Sequence, residues 1–78
     1  MAVSLDRDIA IDLISSKVSM IKEAMAEILQ TWNEDDTDEF LEKAKTGKLE
    51  EAEMDAITIR QLRYDLEKYQ SLLEQVQQ

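Results

Sequence analysis

Apolar side chains recur along the first third of the chain at alternating steps of three and four: Ile11, Ile14, Val18, Ile21, Met25, Ile28 and Trp32. This is heptad spacing, which places every member on one stripe of a single helix. Near the C-terminus Ile59, Leu62, Leu66, Tyr69, Leu73 and Val76 repeat the pattern. Between the seams the polar run Asn33, Glu34, Asp35, Asp36, Thr37 and Asp38 breaks it. Read in opposite directions the seams match member for member, Ile11 with Val76, Val18 with Tyr69 and Ile28 with Ile59 marking the start, middle and end of one register. The pattern predicts an all-α fold, an antiparallel helical hairpin of two long helices with a short helix between them.

Capping residues set the expected boundaries. The first helix is expected over 5–33, with Ser4 as N-cap and Asp6 and Asp8 in the opening turn, where carboxylates suit the positive end of the helix dipole. A short helix is expected over 37–46. Asp36 followed by Glu39 has capping-box spacing, and Thr37 is an equally good cap. Phe40, Leu41 and Ala44 give this helix an apolar side, and the chain's only glycine, Gly47, stands just past its end. The last helix is expected over 49–76. Its first turns are irregular: Leu49, Ala52 and Ala56 precede Ile59, whereas strict heptad spacing places Asp55 on the seam. This predicts small Ala52 and Ala56 opposite bulky Trp32, with Phe40 and Leu41 covering that end. Asp55 can then accept a hydrogen bond from the Trp32 indole; the alternative leaves it in water at a fraying helix start.

At 78 residues the chain reads as one domain over 1–78. Two helices of roughly 28 residues make a rod about 42 Å long, too thin to enclose a core. Ile9, Leu13, Met20 and Ala24 lie to one side of the first seam and Leu29 to the other, a wider apolar face than one partner helix covers. No cysteine is present, so no disulfide braces the fold. A homodimer closing into a four-helix bundle is therefore expected.

Composition narrows the chemistry. With neither cysteine nor histidine, the chain offers no thiolate nucleophile, no imidazole base and almost no route to a zinc site. Ser15, Ser16, Ser19 and Ser71 have no base to activate them. Asp6 and Asp8 stand where a signal peptide carries positive charge, and no apolar run has bilayer length, so a cytoplasmic protein with no membrane partner is expected. A net charge of −9 disfavours nucleic acid and permits a basic protein partner.

Between Glu34 and Asp55 ten carboxylates face three lysines, which accounts for seven of the nine net charges. In a hairpin they all gather at the connected tip. A solvated cap, a docking surface for a basic partner and a divalent-metal site are the competing readings. The docking reading assigns Glu34, Asp35, Asp38 and Glu42, with Trp32, Phe40 and Leu41 as apolar anchor. The metal reading assigns Glu39 and Glu42, an E-x-x-E pair, with Glu50 and Glu53, a second such pair. In this stretch of about 17 residues the chain resembles all-α nucleotide pyrophosphohydrolases of the MazG type, and the resemblance implies a small magnesium-dependent hydrolase. That family's second pair is E-x-x-D; an acid partnering Asp55 would fall at position 52, where this chain has Ala52. An EF-hand fails, because no frame through Asp35, Thr37 and Asp38 gives both the sixth-position glycine and the twelfth-position glutamate.

Arg60, Arg63 and Lys68, with Tyr64 nearby, form the one basic patch, interrupted by Asp65 and Glu67. It resembles, in architecture, the RNA-binding face of Rop-like hairpin dimers; the alternative has these cations pairing with acids across the bundle. Like charges also recur at i, i+4, in Asp8/Asp12, Glu23/Glu27, Asp35/Glu39, Asp38/Glu42 and Glu51/Asp55, each costing roughly 0.2–0.5 kcal/mol on an exposed helix. No cofactor and no catalytic residue are assigned. The expectation is a non-enzymatic interaction or regulatory module presenting its acidic tip, with the metal-dependent hydrolase and the RNA-binding dimer as alternatives.

Overall fold

The first two helices of this chain begin at side chains that satisfy otherwise unpaired backbone N–H groups and end at left-handed residues that let the backbone close on itself. In a computed structural model describing residues 6–78, the regular structure comprises α1 (Arg7–Thr31), α2 (Thr37–Lys45) and α3 (Glu53–Gln77). Asp6 caps α1, its carboxylate accepting the Asp8 N–H at 2.8 Å. The expected cap Ser4 and start at Leu5 lie outside the described residues. α1 stops at Thr31, two residues short of expectation, because Asn33 turns left-handed at φ 56°. The Glu34 N–H then closes back on the Leu29 carbonyl at 2.8 Å, a bond that asparagine allows more readily than most residues.

Of the two candidate caps for α2, Asp36 is the one used, accepting the Glu39 N–H at 3.0 Å. Gly47 ends α2 with φ 81°, and the Lys48 N–H reaches the Lys43 carbonyl at 2.9 Å. Lys43 and Lys45 occupy the last turn, where cations complement the helix dipole. The expected start of the last helix at residue 49 is corrected to Glu53. Glu51 also adopts a left-handed conformation, φ 64°, so the chain makes a further turn before it can wind into α3. Leu49 belongs to that turn and packs against the core from it; its apolar period reflects burial, with no helix beneath.

α1 and α3 run antiparallel. At the open end Arg7 Nε donates to the Val76 carbonyl at 2.9 Å, and Arg7 Nη2 donates to that of Gln77. At the connected end Trp32 meets Asp55. Every seam residue from Ile11 to Ile28 and from Ile59 to Val76 is buried or half-buried. Burial is deepest toward the tip, where Ile21, Met25, Phe40, Leu41, Ala52, Ala56 and Ile59 form the core. Phe40 and Ile59 are completely enclosed, each worth about 1.5–3 kcal/mol of transfer free energy. Toward the open end, among the described residues, only α1 and α3 meet, and Ile11, Ile14, Leu73 and Val76 stay half-exposed. The result is a rod of 53 × 21 × 18 Å. Its radius of gyration is 15.8 Å, against about 11.5 Å for a compact chain of this length. Among the described residues no helix is long and apolar enough to cross a membrane.

Candidate interaction site at the acidic tip

Phe40 and Leu41 anchor the tip. Adjacent on the inner side of α2, they seat it across α1 and α3, which turns the opposite side of α2 to solvent. Trp32, just past the end of α1, packs its ring 6.3 Å from that of Phe40 at a tilt of 40°. Its indole N–H donates to Asp55 Oδ2 at 2.7 Å, so the seam position that heptad spacing gives to an acid is filled by one with a buried-side partner. The small side chains of Ala52 and Ala56 are buried in the same cluster as Trp32 and Phe40.

The ten carboxylates divide into two sets. Glu34 is drawn inward, its side chain only 9% exposed, and pairs with Lys43 at 2.8 Å. Lys43 also approaches Glu39 at 3.6 Å. These two acids, the Glu34 hydrogen bond first, hold the Lys43 ammonium above the ordinary lysine pKa. Asp36 is occupied by its cap, Asp38 pairs with Arg63 of α3 at 2.5 Å, and Asp55 holds Trp32. The other five, Asp35, Glu42, Glu50, Glu51 and Glu53, are exposed and have no hydrogen-bond or ion-pair partner among the described residues.

Several expected site residues therefore sit differently from their assigned roles. Phe40 is wholly interior and offers a partner no surface; it is the tip's internal anchor. Leu41 is likewise buried, and Trp32 is half-buried. Glu34 spends its charge on Lys43 and fastens the loop after α1 to α2, whereas Asp38 pairs with Arg63 of α3 while its side chain stays 85% exposed, a surface pair that leaves the carboxylate accessible. Asp35 and Glu42 remain free in the sense the docking reading required. Among the described residues no group of three or more carboxylates converges as a metal site, and the Glu39–Glu42 and Glu50–Glu53 pairs do not meet. The basic patch is also dispersed: Arg63 goes to Asp38, and Lys68 lies over the Tyr69 ring at 5.9 Å.

Two structural roles lacked a sequence signal. The last turn of α3 contains no basic residue, and Arg7 supplies the missing cation from the other helix. Lys43 links two acids from different segments, a role that its favourable i, i+4 spacing to Glu39 only half disclosed. Compared with protein-family models, curated proteins and solved structures, the chain matches none.

Proposed function

We propose that this protein is a non-enzymatic interaction or regulatory module, a homodimeric four-helix assembly that presents its acidic tip to a basic protein partner. The observation that carries the reading is the division of the tip carboxylates. Five have partners within the tip, in the α2 cap, the Lys43 and Arg63 pairs and the Trp32 bond, and Asp35, Glu42, Glu50, Glu51 and Glu53 are left exposed on the scaffold so held. Charges on a held scaffold lose less conformational freedom on binding than charges on a loose tail. The uncompensated negative field also speeds encounter with a cationic surface.

The test is binding of a defined Lys/Arg-rich helical peptide, followed by calorimetry at several salt concentrations. Reversing tip charge with Glu42→Lys plus Glu50→Lys should weaken binding about tenfold or more, and flatten its salt dependence. The control pair Glu23→Lys plus Glu74→Lys makes the same change in net charge away from the tip and should have a much smaller effect. Equal weakening by both pairs would mean that bulk charge alone attracts the peptide, and the docking reading would be abandoned.

A further inference from the structure

The seam leaves the hairpin with two flanks, and they differ. α2 lies against one, where Asp38 reaches Arg63 and where Ala44 and Lys45 line a shallow groove with Ala56 and Arg60. The opposite flank is marked by Lys17 and Lys68, from different helices, each over the Tyr69 ring at 5.9 Å. Leu13 and Met20 lie one turn to either side of Lys17, and Leu72 one turn beyond Lys68. They are 59%, 63% and 40% exposed. Ile9, Ile57 and Tyr64, also exposed, stand at the outer edges of this flank, and Ala10 and Ala24 lie nearer the seam.

We infer that this flank is where a second copy packs, and that the two hairpins lie with their acidic tips at opposite ends. The inference rests on the proposed self-association and adds its face, direction and register. Three observations select the occupant. First, the chain exposes 6068 Å², about 1,200 Å² more than a compact 9.0 kDa monomer should, while a partner in a standard interface hides roughly 800 Å². Second, the charged residues flanking this surface, Lys17 and Lys68 against Glu27 and Asp65, balance in sign, with Glu23 turned toward the back of α1. A neutral face of both signs suits another copy of itself and gives a strongly basic partner nothing to select. Third, the strongly acidic tips repel when adjacent, whereas tips separated by the 53 Å rod lie far beyond a screening length of about 8–10 Å.

Full overlap in that direction places the two-fold axis beside the middle of α1, so Met20 meets its counterpart. Methionine's flexible side chain tolerates such self-contact. The same register stacks α1 on α1 and carries the seam-side Lys17 of each copy diagonally toward Asp65 of the other.

The test uses the whole chain and needs no change of background, because it contains no cysteine. Sedimentation equilibrium should show a dimer, and Met20→Glu should raise its dissociation constant at least ~100-fold by burying unpaired charge. Ser19→Glu, one residue away on the α2 flank, should change it less than about threefold, as substitutions at solvent-facing positions generally do. Circular dichroism verifies that both variants stay helical. A spin label on Asp35→Cys should report a tip-to-tip distance on the scale of the 53 Å rod. Met20→Cys should form an intermolecular disulfide under mild oxidation where Ser19→Cys does not, which decides the face even if Met20→Glu unfolds. A wild-type chain that stays monomeric at high concentration overturns the self-association reading itself. A dimer with a short label distance, or one indifferent to both Met20 variants, overturns only the inferred face and direction.

Discussion

The chain has one tryptophan, and its indole N–H ends on Asp55 Oδ2 at 2.7 Å, so a single emission spectrum reports on one hydrogen bond. Asp55→Ala removes the acceptor and leaves the N–H without a protein partner at a half-buried site. A hydrogen bond to a charged group contributes about 1.5–3 kcal/mol, and partial access of water to the vacated indole recovers some of it; the expected loss is about 1–2 kcal/mol. For a domain of this size that lowers the thermal midpoint by roughly 4–16 °C. Trp32→Phe keeps a ring against Phe40 while deleting the donor, so a double-mutant cycle with Asp55→Ala isolates the bond from the packing. The coupling energy should be about 1 kcal/mol, measured by urea unfolding at one fixed protein concentration, since self-association makes stability concentration-dependent. Additive losses within about 0.3 kcal/mol would show that the bond contributes nothing and that Asp55 is held by other forces. An unchanged emission maximum in Asp55→Ala would refute the claim that the carboxylate sets the indole's surroundings.

Five further outcomes follow from the same molecule. Phe40→Ala should cost about 3–5 kcal/mol, the range for emptying a fully enclosed phenylalanine site, and should release α2 first; rapid hydrogen exchange confined to 37–45 is the readout. Gly47→Ala should destabilise by about 1 kcal/mol although no atom lies within 4 Å of the added carbon, because φ 81° strains any side chain; Glu51→Asn at φ 64° should raise the midpoint slightly. The pair that raises the Lys43 pKa contributes stability that is fully present below the ordinary lysine value and lost as pH climbs through the raised one. Glu34→Gln should therefore flatten the alkaline limb of the stability–pH curve. Moderate salt should raise the thermal midpoint by screening the like-charge pairs that lie on helices, Asp8/Asp12, Glu23/Glu27 and Asp38/Glu42, and a flat or falling midpoint would contradict that.

Heptad period and capping chemistry are local properties, and they made most of the hairpin legible in the sequence. The seams, the antiparallel register and the Gly47 terminus follow from spacings of a few residues or from matching two stripes, whereas spacing left two readings each for the α2 cap and for Asp55, and the structure chose Asp36 and the Trp32 bond. The start of α3 was not legible, because Leu49 and Ala52 keep an apolar period whether they lie on a helix or in a turn pressed against the core. Only the left-handed backbone at Glu51 separates those cases, and glutamate gives no notice of it. The roles of individual tip acids were likewise hidden. Composition counts ten carboxylates as equals, but which of them face Lys43, Arg63 or water depends on the docking angle of α2, and Phe40 and Leu41 set that angle by burial. The sequence alone thus determined two stripes and the charge at their junction. Tertiary packing decided which charges are spent within the molecule and which remain for something outside it, because pairing depends on distance across elements and not on separation along the chain.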